Sequence, residues 1–398
     1  MENDFFAPIT ADSLFENMQQ TQTNMESLAG SMLSAGITAY QKEDYKTAIQ
    51  HFRASIGMAS YLPQAVDTAH YMASAYLKMD DTEGAIKAYE QAIELDRSRD
   101  DSYVKLGNLY YSQERYGDAE EQYAAAVKIN PDATNRFSLG QAHIKTGRYR
   151  DAEDQFNMIK RQAPRSVNGY YGVGLTYSAE GRYEEAIEEF QQAVDIDPEF
   201  YDGWLEMGYA YADMGNIEKA EEVFDLLEDP SPDLADLLSR YLYKVDTPKF
   251  ATALSDGNFP YQQPPKTPVS SFDPYLTNAN ASKTLKMVFQ FDKEMDRESV
   301  ENRFNWNISR STSSEPGGFY NFGQPLPDTE IKLPSNPEYV YYDAKNLRAV
   351  VYFKVTQNAT ADGTIDPSHI VFKFSGEDKY GLKMDPEADE FAGFSGVA

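Results

Sequence analysis

Cysteine is absent from this chain of 398 residues. Its absence excludes disulfides, zinc-thiolate sites, iron-sulfur clusters and thiol nucleophiles, although it does not identify the cellular compartment. Long apolar runs are also missing, because no stretch approaches the ~18 residues that a membrane span needs. The first nine residues lack the basic start and apolar run of a secretory signal. Three explanations stay open: the protein is cytoplasmic, it is exported without a cleaved signal, or its signal has already been removed.

Positive charge is scarce: 36 Lys and Arg stand against 64 Asp and Glu, which gives a formal net charge of -28. Such a surface repels phosphate backbones, so we expect no nucleic-acid partner. Hydrophobic residues at 41% and charged residues at 25% are typical of globular proteins. Because single cores stop growing near ~250–300 residues, we expect two folded domains.

Patterns that carry catalysis are missing as well. The four histidines His51, His70, His143 and His369 are not spaced as metal ligands, and no nucleophile elbow, Walker loop or dinucleotide glycine pattern occurs. Paired carboxylates such as Glu184 with Glu185 fall on expected solvated helix faces. We therefore expect no catalytic residues and no enzymatic activity.

A repeat fills the first half of the chain. Small residues recur with periods of 33, 34 and 34 in two registers: Gly107, Gly140, Gly174 and Gly208, and Ala119, Ala152, Ala186 and Ala220. These small residues let two antiparallel helices approach closely, and aromatic residues three or four positions later fill the groove beside them. Turn glycines follow at Gly147, Gly181 and Gly215. The pattern predicts stacked helical hairpins.

This pattern resembles the tetratricopeptide repeat. The resemblance is strong over residues 100–230, is weaker in two earlier repeats, and implies an all-α superhelix of about six hairpins. The apolar segment Leu234 to Val245 is interpreted as the capping helix that a stacked array needs. We place the array with its cap at residues 29–247, after an N-terminal segment at residues 1–28.

The resemblance also implies a binding groove lined by first-helix residues and no catalytic role. The corresponding positions are Tyr40, His70, Leu77, Asn108, Tyr111, Phe137, Gln141, Ile144, Tyr171, Leu175, Leu205 and Tyr209. This apolar and aromatic set favours an amphipathic helix or extended apolar peptide as ligand. The alternative is that individual side chains pack between neighbouring first helices.

The N-terminal segment is a candidate assembly element. An apolar tip and a following helical pattern contain Phe5, Phe6, Ile9, Leu14, Phe15 and Met18. We expect this segment either to dock onto a neighbouring subunit or partner, or to fold back on its own array.

A second domain begins after the array. Pro and Asn accumulate around residues 259–265, which predicts a linker over residues 248–268. Beyond it, apolar residues alternate with period two, as in Leu285, Met287, Phe289 and Phe291. Several such segments in residues 269–398 predict an antiparallel β-sandwich.

Residues 288–308, VFQFDKEMDRESVENRFNWNI, resemble the opening of bacterial S-layer-type Ig-like domains, and SGEDKYG resembles their closing turn. The resemblance implies an Ig-like sandwich on a secreted or cell-surface bacterial protein. Residues 311–337 depart from it and predict an inserted loop. The acidic residues Asp292, Glu294, Asp296 and Asp378 are a candidate Ca²⁺ site, the alternative being that they cap backbone amides.

Together these features predict a non-catalytic protein-interaction scaffold at the surface of a bacterium or outside it, with cytoplasmic placement as the alternative. Its partner is a protein or peptide, including a second copy of the chain. Two other functions stay open: a chaperone or adaptor for protein secretion, and a carbohydrate- or surface-binding module. The latter would use Tyr341, Tyr342 and Trp306.

Overall fold

The computed structural model describes residues 11–254, 257–313 and 318–393. The chain divides into two compact units, residues 1–235 and residues 236–398. Within these described ranges the first unit is all-helical and the second is dominated by antiparallel strands. None of the helices within the described ranges is long and apolar enough to cross a membrane.

Residues 11–228 of the first unit form six helical hairpins that pack in chain order. Its helices are α1 (Ala11–Gln41), α2 (Tyr45–Met58), α3 (Gln64–Leu77), α4 (Thr82–Leu95), α5 (Asp100–Ser112), α6 (Tyr116–Ile129), α7 (Ala133–Lys145), α8 (Tyr149–Gln162), α9 (Val167–Glu180), α10 (Tyr183–Ile196), α11 (Tyr201–Asp213) and α12 (Ile217–Glu228). The helix-turn-helix period predicted from the sequence is confirmed.

A residue with a left-handed backbone conformation closes the turn inside each of the six hairpins. Gly147, Gly181 and Gly215 have φ angles of 75°, 76° and 78°. The three earlier hairpins place a non-glycine residue there, Glu43, Asp80 and Glu114. Because only glycine adopts this backbone conformation without steric cost, the glycines mark the turns that the sequence makes easiest to recognise.

The core of each hairpin depends on close approach of its two helices. The four alanines of the predicted second-helix register are fully buried, and the aromatic residue four positions later packs beside them. Gly140 and Gly172 both face the ring of Phe156, so that a Cβ at either position would collide with it. Small residues therefore set the packing distance, as the sequence predicts.

Helix α13 (Pro232–Val245) falls mostly in the second unit, since the unit boundary lies at residue 235. The Tyr243 hydroxyl accepts a hydrogen bond from the backbone N–H of Glu294, and the Asp246 carbonyl accepts one from Lys293 Nζ. The boundary predicted at residue 247 is therefore wrong, because α13 is tied by hydrogen bonds to the β unit.

The described residues of the β unit form three antiparallel sheets. Its strands are β1 (Phe250–Leu254), β2 (Thr267–Pro268), β3 (Ser282–Phe291), β4 (Trp306–Arg310), β5 (Tyr339–Asp343), β6 (Arg348–Thr356), β7 (Thr364–Ile365), β8 (Ile370–Phe374) and β9 (Glu390–Ala392), and a short helix α14 (Arg297–Glu301) follows β3. The strand orders are β1-β3-β6-β5, β4-β8-β9 and β2-β7. One core joins side chains from these sheets, including Phe289, Phe353 and Phe372.

The linker predicted over residues 248–268 is wrong, because most of this segment belongs to the β unit. Strand β1 pairs with β3, and Phe250 stacks on Phe291 at a ring-centroid distance of 5.2 Å. Phe259 is 3% exposed and packs edge-on against Phe353 at 5.1 Å. Proline and asparagine suggested a spacer, but the aromatic side chains between them are core residues.

Candidate functional site

The twelve predicted lining residues all lie on the first helix of their hairpin, on α1, α3, α5, α7, α9 and α11. The structure brings three of them, His70, Leu77 and Asn108, to the surface between α3 and α5. The remaining nine are engaged in several different ways. The candidate site therefore contains only three of the twelve predicted lining residues.

Two adjoining depressions of about 320 and 420 Å³ lie between α3 and α5. They share Tyr89 and Lys105, and we call them together the α3/α5 recess. Its lining residues are Asp67, His70, Tyr71, Ser74, Leu77, Asp80, Thr82, Tyr89, Asp101, Lys105, Asn108, Leu109, Ser112 and Gln113. The recess has a mixed part near Leu77, where apolar side chains lie among polar ones, and a charged part near His70.

An ion-pair network shapes the charged part. One guanidinium nitrogen of Arg99 donates to Asp67 Oδ1 at 2.9 Å and to Asp101 Oδ2 at 2.6 Å. His70 Nε2 lies 2.8 Å from the Ser102 hydroxyl, and burial lowers the pKa of His70 below its ordinary value. The imidazole is therefore neutral at pH 7 and offers a hydrogen bond rather than a charge.

The oxygen and nitrogen ligand atoms of Asp67, His70 and Asp101 lie within 4.8 Å of one another, which is close enough for a metal ion. Arg99 already places a positive charge between the two carboxylates. A metal ion would have to displace this guanidinium. The group is therefore explained by its ion pairs, and it fixes the start of α5 against α3.

Asn108 lies in the mixed part of the recess. Its Oδ1 accepts a hydrogen bond of 2.7 Å from the hydroxyl of Tyr123, which comes from the second helix of the same hairpin. This bond fixes the amide orientation, and the amide nitrogen has no protein partner within the described part of the chain. Asn108 therefore presents an oriented donor next to Leu77 and Leu109.

The aromatic residues of the fourth and fifth hairpins pack within the array. Phe137 stacks on Tyr171 with 9° between the ring planes and also meets Phe156 edge-on. Tyr171 in turn meets Phe200 edge-on at 5.0 Å, and burial raises its pKa above the ordinary value. These contacts match the alternative interpretation, in which first-helix aromatics join neighbouring repeats.

The other predicted lining residues are also partly or fully buried. Tyr40 and Tyr111 meet Tyr45 and Tyr116 edge-on, and Leu205 is 7% exposed. Gln141, Ile144, Leu175 and Tyr209 are half-buried. An aromatic groove running the length of the array is therefore not what the structure presents.

Sequence reasoning missed the charged members of the recess, Asp67, Asp101 and Lys105, since it searched first helices for apolar and aromatic residues. Asp67 is three residues before His70 on the same helix, a spacing that puts both on one face. The spacing of three residues between Asp67 and His70 was thus the signal in the sequence that could have located the charged part of the recess.

The predicted Ca²⁺ ligands do not form a metal-binding group among the described residues. Each carboxylate is engaged by a protein donor: Asp292 by the backbone N–H of Lys249, Glu294 by Lys379, Asp296 by the backbone N–H of Ser299, and Asp378 by Lys293. Capping of backbone amides, the alternative interpretation, accounts for Asp292 and Asp296. The structure thus gives the calcium prediction no support.

Lys293 supplies the positive charge in this acidic region. Its Nζ lies 2.7 Å from Asp378 Oδ2 and donates to the Asp246 carbonyl at 2.7 Å. The rings of Tyr243 and Tyr380 lie 5.3 and 5.7 Å from the same nitrogen. Lys293 and Asp378 form a buried ion pair that ties the end of α13 to the β-rich core.

The three predicted sugar-stacking residues differ in how exposed they are. Trp306 is 1% exposed and Tyr342 is fully buried, so both predictions are wrong: these rings point into the core because β4 and β5 turn them inward. Tyr341 is 54% exposed, and Tyr339, two residues earlier on the same face, is 53% exposed. The period-two rule would have selected Tyr339 rather than Tyr342.

The predicted assembly segment is only partly described. Phe5, Phe6 and Ile9 lie outside the described residues. Leu14, Phe15 and Met18 lie on α1 and are 50%, 69% and 71% exposed. These three side chains do not fold back onto the array.

Comparison with protein families now identifies the helical hairpins. Models described as "Tetratricopeptide repeat" and "TPR repeat" match residues 73–113, 104–167, 137–199 and 177–241. Residues 73–241 are tetratricopeptide repeats. Tetratricopeptide proteins are protein-interaction scaffolds and are generally non-catalytic. The resemblance predicted from the Gly and Ala registers is confirmed for this part of the chain.

The chain also resembles part of a curated protein. U-box domain-containing protein 70 of Oryza sativa subsp. japonica is 29% identical over 102 residues. This match covers 25% of the present chain and only 13% of the rice protein. It therefore concerns a local segment.

Several solved structures are similar to part of the chain. A tetratricopeptide repeat protein from Parabacteroides merdae is 16% identical with a TM-score of 0.47, covering 55% of this chain and 89% of its own. MamA is 23% identical with a TM-score of 0.37, covering 44% and 96%. YrrB, a TPR protein with an unusual peptide-binding site, is 24% identical with a TM-score of 0.36, covering 48% of this chain and 97% of its own.

Proposed function

We propose that the tetratricopeptide array is a non-catalytic scaffold that binds an extended peptide segment of a partner protein in the α3/α5 recess. The observation that carries this proposal is the pairing of an apolar wall, formed by Leu77, Tyr89 and Leu109, with an oriented amide donor at Asn108. Ligand sites in proteins commonly combine an apolar wall with a few fixed polar groups.

The chemistry of the recess defines the peptide. Leu77, Tyr89 and Leu109 form a wall for one apolar side chain. The Asn108 amide and the Lys105 ammonium can donate hydrogen bonds to carbonyl oxygens of an extended backbone. The net charge of -28 favours a peptide that is neutral or basic, because an acidic one would be repelled during approach.

A peptide-display selection on the full-length protein tests this site without knowledge of the natural partner. Selected peptides should share an apolar position and should lose at least tenfold in affinity with Leu77→Asp and with Asn108→Ala. Leu226→Asp is the matched control, because Leu226 is a similarly exposed leucine on the second helix α12. Equal affinity for wild type and both recess variants would contradict the proposal.

The β unit is proposed as a second contact surface. The sequence resemblance to S-layer-type Ig-like domains supports placement at the bacterial surface or outside the cell, and fractionation of the source organism tests it. Recovery of the protein in the cytoplasm would favour the alternative, an adaptor that delivers proteins for secretion.

A carbohydrate-binding role for the β unit rests on a separate observation. Tyr339 and Tyr341 project from the edge strand β5, and Tyr339 stacks on Tyr352 at a centroid distance of 4.2 Å. Flat aromatic surfaces of this kind suit stacking against sugar rings. A glycan array probed with wild type and with Tyr341→Ala decides this second candidate, since loss of specific signals in the variant is its expected result.

A further inference from the structure

Helix α1 is longer than any other helix in the described residues, and its first half extends beyond the hairpin. The hydroxyl of Ser55, near the end of α2, donates to the Ala29 carbonyl at 2.8 Å, and the Tyr61 hydroxyl donates to Glu26 at 3.0 Å. Residues 11–25 therefore extend about 22 Å past the region where α2 covers α1.

The extension exposes a continuous apolar face. Leu14, Phe15, Met18, Met25, Leu28 and Tyr61 are each more than 40% exposed, and most of them line a cavity of about 700 Å³ together with Met58. Along α1, positions 14, 18, 21, 25, 28 and 32 follow the 4-3-4-3 spacing of a heptad seam, occupied by Leu, Met, Thr, Met, Leu and Met. We call these six positions the α1 stripe.

The core face of α1 is a different one. Ala29 is buried, and Leu33, Ile37 and Tyr40 pack against the cluster that includes Phe52 of α2. The α1 stripe therefore has a heptad pattern that its own hairpin does not use. Such spacing is what a helix needs to pair with another helix.

Charge indicates what covers the stripe. Between Ala11 and Gln41 the sequence contains only Asp12, Glu16 and Glu26 as charged residues, and no Lys, Arg or His. In a chain of net charge -28, two copies repel each other over most of their surface. The nearly uncharged α1 stripe is a surface at which a second copy can approach with little repulsion.

The helix itself also needs a partner. An unsupported helix of about 15 residues is marginal in water. The segment from Gln19 to Asn24 reads QQTQTN, in which Thr21, Thr23 and Asn24 are weaker helix formers than Ala or Leu. Pairing along the stripe would supply the stabilisation that α2 provides to the second half of α1.

We propose that two copies of this chain pair through the α1 stripe as an antiparallel two-helix seam. This interface lies apart from the α3/α5 recess and does not depend on peptide binding there. In antiparallel coiled coils each a position faces a d position, which sets Met18 opposite Leu28, Thr21 opposite Met25, and Leu14 opposite Met32 of the second copy.

The net charge of the chain favours the antiparallel arrangement. A parallel seam would place the rest of the two acidic chains at the same end of the seam, where they repel each other, whereas an antiparallel seam places them at opposite ends. The acidic residues Asp12, Glu16 and Glu26 do not bear on this choice, because they fall at b and f positions, which point away from the seam.

Sedimentation equilibrium of the full-length protein over a range of concentrations tests the interface. We expect the mass to rise from 44.9 kDa towards twice that value. Met18→Glu should stay monomeric over the same range, whereas Met158→Glu, at an exposed methionine of α8, should behave as wild type. A wild-type protein that stays monomeric, or a dimer that survives Met18→Glu, would overturn the proposal.

Because the chain has no cysteine, crosslinking tests the register independently of helix stability. When Thr21→Cys and Met25→Cys proteins are mixed and oxidised, the disulfide between the two variants should form in preference to either homodisulfide. Predominant homodisulfides would indicate a parallel seam and contradict the register. Removal of residues 1–10 should leave the dimer intact, and its loss would assign the interface to those residues instead.

Discussion

The hydroxyl of Tyr123 donates a 2.7 Å hydrogen bond to Oδ1 of Asn108, linking the second helix of the third hairpin to the α3/α5 recess. Tyr123 is 3% exposed, and burial raises the pKa of its phenol, so the group stays a neutral donor. The orientation of a residue in the proposed peptide site is thus determined by a buried side chain that a peptide would not touch.

Tyr123→Phe should weaken peptide binding even though Tyr123 lies behind the recess. Loss of the hydrogen bond leaves the Asn108 amide free to rotate, and we expect a severalfold loss of affinity with a loss of stability of about 0.5–1.5 kcal/mol. Calorimetric titration of a selected peptide measures the first effect, and urea unfolding measures the second. Asn108→Ala should lose affinity and at least as much stability, because it leaves the buried Tyr123 hydroxyl without its acceptor.

Gly172→Ala should destabilise the array by about 1–3 kcal/mol, because the added methyl group collides with the buried ring of Phe156. Gly117 on α6 is the matched control, since no atom lies within 4 Å of a Cβ built there. Gly117→Ala should therefore be neutral or stabilising by up to ~1 kcal/mol. In urea unfolding, the midpoint of Gly172→Ala should lie clearly below that of wild type, whereas the midpoint of Gly117→Ala should be equal to that of wild type or higher.

Lys293→Met should destabilise the β unit by about 3–5 kcal/mol, because it leaves the carboxylate of Asp378 buried without its cation. Lys379→Met removes a cation from the more exposed pair with Glu294 and should cost at most ~1 kcal/mol. Thermal unfolding followed by near-ultraviolet circular dichroism measures both. The double variant Lys293→Met/Asp378→Asn should recover part of the loss; an equal effect of the two single variants would contradict this account.

Ionisation of Glu206 should lower the free energy of unfolding as the pH rises from about 4.5 to 7. Burial, with smaller contributions from Asp202 and Asp213, raises the pKa of Glu206 to about 7 from its ordinary value of 4.5. In that window the folded state retains a proton that the unfolded state releases, so ionisation favours unfolding.

Glu206→Gln should accordingly stabilise the protein by roughly 1–3 kcal/mol at pH 8 and change nothing below pH 4.5. Urea unfolding at several pH values measures the difference. Glu221→Gln, at an exposed position on α12, is the matched control and should show no such profile. A pH-independent effect of Glu206→Gln would contradict the assigned cause.

The hairpins could be predicted from the sequence because their determinants are local and repeated. Gly147 and Gly181 mark turns, and Ala152 and Ala186 mark close helix contacts, each at a period that one sequence reveals. Phe259 shows the opposite case. Its neighbours suggested a spacer, whereas its burial depends on Phe353, which lies far away in the sequence.

The candidate site could be predicted only in part. His70, Leu77 and Asn108 were found from their first-helix positions, but position alone does not reveal whether a second-helix ring covers a side chain. Phe137 and Tyr111 are covered in this way by Phe156 and Tyr116. Likewise, the acidic turn suggested calcium because the sequence does not show that the ammonium group of Lys293 reaches Asp378.

Photo-crosslinking in the source organism tests the proposed peptide site most directly. A benzophenone amino acid replaces Leu77 in the recess, or Leu226 on α12 as the control. We predict that Leu77 yields crosslinks to one short segment of a partner protein, that Leu226 does not, and that Asn108→Ala reduces them. Identical crosslinks from both positions, or none from Leu77, would contradict the assignment of peptide binding to the α3/α5 recess.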